Sequence, residues 1–181
     1  MGKIVYLMGK SSSGKDTIYK KLLEQDKIRL QKIVPYTTRP IRAEEREGVE
    51  YHFTDEEGYQ ELLKKVIEAR IYHTCHGIWR YFTVADGEVD LSAQSYLIIG
   101  TLEAYEKIRI FYGKENVIPI MIELDDGVRL QRALDREKAQ DHPKYEEMCR
   151  RFLADAEDFS SERMKSAGIT QTFHNDELEQ C

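Results

Sequence analysis

The feature of the sequence that most constrains its fold is the run VYLMGKSSSGKDTIYKKL at residues 5–22. The apolar residues 4–8, at the start of this run, predict a buried strand. A loop of small residues follows, and residues 15–25 predict a helix. In a strand–loop–helix unit of this kind, backbone N–H groups at the helix N-terminus can surround a polyphosphate. The sequence therefore predicts an α/β fold that binds phosphate groups.

The loop fits the pattern GxxxxGK, and Lys15 would reach the β- and γ-phosphates of a bound nucleotide. Asp16 stands where the pattern usually has the hydroxyl that binds Mg²⁺, and Thr17 follows it, so both are candidate metal ligands. A carboxylate at a helix N-terminus is also favourable without any metal, which leaves a structural role for Asp16 open. The predicted polyphosphate-binding residues are Gly9, Ser11, Ser12, Ser13, Gly14, Lys15, Asp16 and Thr17.

Strand and helix signals alternate through much of the remaining chain. Apolar runs at residues 95–100 and 116–124 each precede an amphipathic stretch, which is typical of a parallel sheet covered by helices. Helices are predicted at residues 102–111, at 127–138 and, as one long helix, at 143–164. With 181 residues, the chain is expected to form a single domain.

The pattern changes between residues 37 and 90. Short β-type runs there surround one predicted helix at residues 55–69. We interpret this region as an α+β subdomain inserted into the parallel-sheet core, which comprises residues 1–36 and 91–181.

Composition excludes several classes of protein. The net charge of −6 argues against a broad surface for nucleic acid or anionic membrane. No apolar run approaches the roughly 20 residues that span a bilayer, and the first residues do not resemble a secretory leader, so a cytoplasmic location is expected. Cys75, Cys149 and Cys181 are expected to be reduced, and the run HTCH at residues 73–76 lacks the partner motif of a zinc site.

A second candidate anion site lies in the stretch YTTRPIRAEEREGVEYHF at residues 36–53. Arg39 and Arg42 could bind a second phosphate through paired N–H groups, beside the hydroxyl of Tyr51. Two phosphate sites suggest transfer of a phosphoryl group between them. The alternative is a solvated surface whose arginines and glutamates pair with one another.

The same stretch resembles a known family. It matches, at every spacing, the pattern TTRxxRxxExxGxxYxF of guanylate kinases, and the phosphate loop lies upstream of it as in that family. The resemblance implies a P-loop nucleoside monophosphate kinase with nucleotide partners, namely ATP with Mg²⁺ as donor and GMP or dGMP as acceptor. It also implies a helical lid at about residues 136–145. The matching residues are Thr37, Thr38, Arg39, Arg42, Glu45, Gly48, Tyr51 and Phe53.

Individual roles follow from this resemblance. Glu68 would accept hydrogen bonds from the guanine edge, and Asn175, in the run HNDELE, would lie near the adenine of ATP. Lys15 and the arginines of the lid region would neutralise the transferring phosphoryl group; these arginines are Arg136 and Arg151, with Arg132 next. The implied acceptor-binding residues are Arg39, Arg42, Tyr51, Glu68, Tyr81 and Thr83.

The sequence departs from the family pattern at several positions. Pro35 replaces a phosphate-binding serine, and Phe82 replaces the glycine between Tyr81 and Thr83. The run LIIGTLE lacks the pair of acids expected after the strand at residues 96–100, and Asp16 or Glu103 could supply part of the lost charge. Two alternatives therefore stay open: a module that binds a phosphorylated ligand without catalysis, and a kinase for another nucleoside monophosphate.

Overall fold

The computed structural model of the protein describes residues 1–25, 27–42, 45–74, 77–178 and 181. Within these residues the strands form two sheets, and the larger one is parallel, with the order β2-β7-β1-β8-β9. This sheet confirms the predicted α/β fold class. The strands are β1 (Ile4–Gly9), β2 (Gln31–Lys32), β3 (Tyr36–Thr37), β4 (His52–Phe53), β5 (Val66–Thr74), β6 (Gly77–Val84), β7 (Tyr96–Gly100), β8 (Val117–Glu123) and β9 (Thr172–His174).

Helices cover both faces of the parallel sheet. Tyr6 on β1 faces a core that includes Tyr105 and Phe159, whereas Leu7 on the opposite face packs against residues that include Ile18. Successive side chains of a strand point to opposite faces, so β1 is buried on both. The helices are α1 (Lys15–Leu23), α2 (Glu56–Leu62), α3 (Leu102–Tyr112), α4 (Asp126–Lys138), α5 (Tyr145–Asp158) and α6 (Ser161–Ser166).

The smaller sheet has the order β4-β3-β6-β5. Strands β5 and β6 form a long antiparallel hairpin, and β3 pairs antiparallel with β6 and parallel with β4. Phe82 on β6 is fully buried beside Tyr36 and Tyr59, which explains why an aromatic residue stands at this position. The division into a core, an acceptor-binding insert and a lid remains a prediction.

Two predicted helices are wrong in part. The helix predicted at residues 55–69 ends as α2 at Leu62, and after one 3₁₀ turn the chain enters β5 at Val66. Apolar spacing alone did not reveal that the β-branched Val66 pairs with Val84 of β6, with Ile67 at the irregularity that follows. Glu68 consequently lies on a strand.

The single long helix predicted at residues 143–164 is two helices, α5 and α6, and Pro143 lies just before α5. The helix is interrupted at Phe159 and Ser160. Ser160 has an extended backbone with φ −63° and ψ 150°. This break brings the Phe159 side chain, 6% exposed, into the main core. Burial of an aromatic side chain here outweighs the continuation of helical hydrogen bonding.

Among the described residues, no helix is long and apolar enough to cross a membrane. Of the HTCH run, Cys75 and His76 lie outside the described residues.

The carboxyl end of β7 is closely packed against β1. The Tyr6 hydroxyl donates a hydrogen bond to the carbonyl of Thr101 (3.1 Å), and a Cβ built on Gly100 would lie 2.1 Å from that hydroxyl oxygen. The phenol of Tyr6 therefore occupies the space that a side chain at position 100 would need.

We expect Gly100→Ala to lower the free energy of unfolding by roughly 1–3 kcal/mol, because the new methyl group overlaps the Tyr6 hydroxyl. In a Tyr6→Phe background the same substitution should cost less, because the atom nearest to the new methyl group would then be the ring carbon that carried the hydroxyl, 3.0 Å away. Urea denaturation of the four proteins in this double-mutant cycle measures the difference. Strictly additive effects would show that the contact is not the source of the loss.

Candidate active site

The loop between β1 and α1 is shaped to receive an anion. Gly14 has a left-handed backbone (φ 87°), and a Cβ there would lie 2.2 Å from the side-chain amide nitrogen of Asn175. Within the described part of the chain, the backbone N–H groups of Ser12, Gly14, Lys15 and Asp16 have no hydrogen-bond partner. Four free N–H groups at the start of a helix form the kind of site that binds phosphate.

The Ser13 side chain supports the same conclusion. Its hydroxyl is fully buried and, among the described residues, is the only buried side-chain polar atom without a hydrogen-bond partner. A buried polar atom without a partner is unfavourable. A Cβ on Gly9 would meet this hydroxyl oxygen at 2.8 Å, so only glycine leaves room beside it. The loop therefore has the features of a phosphate-binding site.

Three arginines of α4 face this loop. Arg129 donates to the carbonyl of Ser11 (2.8 Å) and Arg136 to the hydroxyl of Ser12 (2.7 Å), while a Cβ built on Gly14 would lie 3.8 Å from Arg132 Nη1. Spacings of three and four residues put all three on one face of a helix. They place positive charge beside the loop.

Sequence reasoning assigned no role in the site to Arg129 or Asp155. Arg129 is buried, with its Nε and Nη2 bound to Asp126 at 3.0 and 2.7 Å and its Nη1 lying 3.6 Å from Asp155. The carboxylate of Asp155 accepts a hydrogen bond from the backbone N–H of Ser11 (2.7 Å). Because Ser11 and Asp155 are 144 positions apart in the sequence, no local motif signals this contact.

The buried side chain of Asn175 also holds the loop. Its amide nitrogen donates to the carbonyl of Ser13 (2.8 Å), and its backbone N–H donates to the carbonyl of Glu123. Beyond it, a cavity of about 380 Å³ is bounded by residues at the carboxyl ends of β8 and β9 and by Lys10 and Arg129. Ligands of parallel α/β sheets bind at this edge.

Arg151 lies elsewhere. It is half-exposed on α5, with its Nε 3.6 Å from the carboxylate of Glu147 on the same helix. Of the three arginines that the resemblance implied for the lid region, the structure thus brings Arg132 and Arg136 to the phosphate loop and leaves Arg151 paired at the surface.

The predicted metal ligands are at the first turn of α1. Asp16 is exposed and lies 3.5 Å from Lys15 Nζ, and Thr17 is exposed beside it. The part of the chain that the structure describes contains no group of three or more His, Cys, Asp or Glu side chains that could hold a metal ion. Mg²⁺ commonly binds through one or two protein oxygens together with substrate phosphates, so the Asp16 carboxylate and the Thr17 hydroxyl fit a shared ion.

The second predicted anion site is a compact cluster on the smaller sheet. The buried Arg39 binds both carboxylate oxygens of Glu45 at 2.8 and 2.9 Å and donates to the Tyr81 hydroxyl at 3.1 Å. Its guanidinium also lies over the ring of Tyr51, 5.5 Å from the centroid. The hydrogen bond from Arg39 holds the pKa of Glu45 below its ordinary value. The structure thus brings Arg39, Tyr51 and Tyr81 together, as predicted.

The two arginines of this site differ in their surroundings. Arg39 retains one Nη2 hydrogen for a ligand, because its other donors bind Glu45, Tyr81 and the carbonyl of Pro40. Arg42 is exposed, and its backbone N–H donates to Glu45. Within the described residues the Tyr51 hydroxyl has no hydrogen-bond partner, and burial raises its pKa. Glu45 therefore organises the cluster, a role that the motif alone did not indicate.

The residues expected to read the base are also in contact. The Thr83 hydroxyl donates to Glu68 Oε1 (2.9 Å), and both side chains are buried. The guanidinium of Arg70, which sequence reasoning did not select, lies against the same carboxylate, with Nε 3.2 Å from Oε2 and Nη2 3.4 Å from Oε1. Glu68 thus has one neutral and one charged partner in the protein.

The acids that the resemblance led us to expect after β7 have no counterpart in this part of the site. Tyr6 fills the space at Gly100, and Glu103 pairs with Lys107 on the surface of α3 at 2.7 Å. Glu103 is therefore occupied by a helix neighbour at the usual i, i+4 spacing.

Comparison with known proteins gives consistent matches. The sequence model of the family described as guanylate kinase matches residues 1–73. The guanylate kinase of Anaplasma phagocytophilum strain HZ is 31% identical over 144 residues, which cover 78% of this chain and 67% of that protein. The guanylate kinase of Mycoplasma mobile is 31% identical over 126 residues, which cover 68% of this chain and 61% of that protein.

A solved structure agrees with the fold. The crystal structure of guanylate kinase from Anaplasma phagocytophilum superimposes with a TM-score of 0.63 at 24% sequence identity, over 98% of this chain and 79% of that one. The chain thus spans about two thirds of the curated relatives' lengths and about four fifths of the solved neighbour.

Arg129→Met tests how strongly α4 is fixed to the phosphate loop. The substitution keeps an apolar stem but leaves the Ser11 carbonyl without its donor, so we expect the free energy of unfolding to fall by about 2–4 kcal/mol. The matched control is Arg150→Met, which removes an exposed ion pair with Glu147 and should change stability by less than about 1 kcal/mol. Equal losses in urea denaturation would contradict a special role for Arg129.

Proposed function

Because the chain belongs to the guanylate kinase family, whose members are nucleoside monophosphate kinases, we propose that it transfers the γ-phosphoryl group of ATP to GMP or dGMP. In this reaction an acceptor phosphate oxygen bonds to the γ-phosphorus while the bond from that phosphorus to the β–γ bridging oxygen breaks. The products are ADP and the nucleoside diphosphate. No side chain of the protein needs to act as a nucleophile.

The observation that carries this proposal is the row of arginines on α4 at the phosphate loop. A protein that only bound a phosphorylated ligand on the smaller sheet would not need this second cationic site. Lys15, Arg132 and Arg136 would compensate the charge that develops on the transferring group, and the free loop N–H groups would hold the remaining phosphates.

The acceptor cluster supports the other half of the reaction. Its Tyr51 and Tyr81 hydroxyls and the remaining Arg39 donor are hydrogen-bonding groups suited to an acceptor phosphate, and exposed Arg42 adds positive charge. Glu68 and Thr83 lie further along the same sheet, where the base would reach them. Mg²⁺, when bound with ATP, would supply further charge neutralisation, and Asp16 and Thr17 are the protein groups that fit it.

One contact favours the alternative of a binding module. The carboxylate of Asp155 bonds to the Ser11 N–H and so places negative charge at the edge of the phosphate loop. That charge opposes triphosphate binding. The four free N–H groups, together with Arg132 and Arg136, outweigh it in number, and we therefore favour the kinase.

Coupled measurement of ADP production with ATP and Mg²⁺ tests the proposal against GMP, dGMP, AMP, CMP and UMP. We expect turnover with the guanine nucleotides, and Lys15→Met should lower kcat by about 100-fold or more because it removes a charge at the transferring group. Lys20→Met is the matched control, since Lys20 lies in the exposed last turn of α1. Absence of turnover with every acceptor would favour the binding module, and turnover with a pyrimidine alone would reject guanine recognition.

Asp16→Ala tests the metal assignment. We expect the Mg²⁺ concentration for half-maximal rate to rise about tenfold, because the ion loses a charged oxygen ligand. Thr17→Val, measured in parallel, removes a neutral oxygen at the neighbouring position. Unchanged Mg²⁺ dependence in Asp16→Ala, with a shift in Thr17→Val, would transfer the role to Thr17.

A further inference from the structure

Arg70 lies on the ligand-facing side of the smaller sheet. In the β5–β6 hairpin, Glu68 is opposite Thr83 and Arg70 is opposite Tyr81. Because alternate residues of a strand share a face, all four side chains project to the same side. Tyr81 also accepts a hydrogen bond from Arg39, so this side joins the base-reading residues to the phosphate cluster.

The Glu68 and Arg70 side chains are a close and largely buried pair. The Glu68 side chain is 1% exposed and that of Arg70 15% exposed, with two N–O distances of 3.2 and 3.4 Å between them. Burial is the largest single effect and opposes the charge of Arg70, but the interactions with Glu68, Tyr6 and Tyr72 together outweigh it, and the net effect raises the pKa of Arg70. Arg70 therefore remains a cation in the site.

Part of this cation is free to bind a ligand. Nε and Nη2 face Glu68, and in the part of the chain that the structure describes Nη1 has no hydrogen-bond partner. The side chain lines a cavity of about 260 Å³ between β5 and the first turns of α3. Four acids also line it, namely Glu103, Glu106, Asp158 and Glu162, and two of them, Glu103 and Asp158, are bound to Lys107 and Arg163 at 2.7 Å. The unused donors of Arg70 thus adjoin open space.

The hydrogen-bond acceptor Glu68 and the donor Arg70 lie side by side, so they match a ligand that has a donor next to an acceptor. A carboxylate accepts from a ring N–H, and a guanidinium donates to a neighbouring carbonyl oxygen. The six-membered ring of guanine has N1–H next to C6=O, whereas adenine has an acceptor at N1 and an amino group at C6. Guanine matches both members of the pair, and adenine matches neither.

The carbonyl group of such a base needs a hydrogen-bond donor in the site. A base carbonyl that left water without gaining a donor would weaken binding.

We propose that Arg70 is a specificity-determining residue that donates to the O6 carbonyl of the acceptor guanine while Glu68 accepts from N1–H. This inference rests on the proposed function, because it requires GMP as the acceptor. It gives the site a selection for bases that have a ring N–H beside a carbonyl group.

Isothermal titration of GMP and 6-thio-GMP tests the inference without requiring turnover. The thio analogue keeps N1–H and the 2-amino group but replaces O6 with sulfur, a weak hydrogen-bond acceptor. We expect the wild-type protein to bind GMP about 10- to 100-fold more tightly than 6-thio-GMP, and Arg70→Ala to bind the two with nearly equal affinity. Arg80→Ala is the matched control, since Arg80 pairs with Glu56 away from this side and should keep the wild-type ratio.

The ratio of the affinities for GMP and 6-thio-GMP distinguishes direct recognition of O6 by Arg70 from an effect of Arg70 on the position of Glu68 alone. If Arg70 only positions Glu68, Arg70→Ala will weaken both ligands by the same factor, and the inference is wrong while GMP recognition stands. Equal binding of both ligands by the wild-type protein would overturn it without any variant, which covers the case that Arg70→Ala does not fold. If no nucleoside monophosphate binds, the proposed function fails and this inference fails with it.

Discussion

The contact of the buried Arg129 guanidinium with the Ser11 carbonyl is the interaction on which the arrangement around the phosphate loop depends. It joins the start of α4 to the phosphate loop through the Ser11 carbonyl, and it lies close to Asp155 on α5. A charged group in this position is costly unless its donors are used, and Asp126 and Ser11 use them. Once α4 is fixed in this way, Arg132 and Arg136 follow at helical spacing and must face the same loop.

Positive charge is distributed differently in the two halves of the site. At the phosphate loop Arg129 is paired with Asp126, but Arg136 binds only the neutral hydroxyl of Ser12, and four backbone N–H groups are free, so much of the positive charge is available to a ligand. On the smaller sheet, Arg39 and Arg70 are each bound to a carboxylate of the protein, Glu45 and Glu68. The loop is therefore the stronger anion site, which suits a triphosphate, and the sheet suits a ligand with both donors and acceptors.

Local patterns in the sequence predicted the features that are determined by residues close together in the chain. The apolar strand, the glycine-containing loop and the alternation of strands with helices were sufficient to predict the parallel sheet. The motif at residues 36–53 indicated that Arg39 and Tyr51 lie in one cluster, and the structure places them in contact. The helix at 55–69 was mistaken in its second half because pairing of Val66 with β6 is a long-range choice. The contact of Asp155 with Ser11 was missed because it depends on how distant elements meet. The contact of Arg70 with Glu68 was missed because residues up to 69 were predicted to be helical, whereas both residues lie on β5.

Arg39 is already paired with Glu45, and this pairing affects how a ligand can bind to the cluster of Arg39, Glu45, Tyr51 and Tyr81. The carboxylate of Glu45 occupies the face of Arg39 that would suit a phosphate best, because both anions bind a guanidinium through two parallel N–H groups. A ligand phosphate must then share Arg39 through its remaining hydrogen or displace Glu45. Sharing leaves Arg39 fixed by Tyr81 and Glu45, so little side-chain entropy is lost on binding. Displacement would expose a carboxylate next to a dianion, and the repulsion makes sharing the more favourable arrangement.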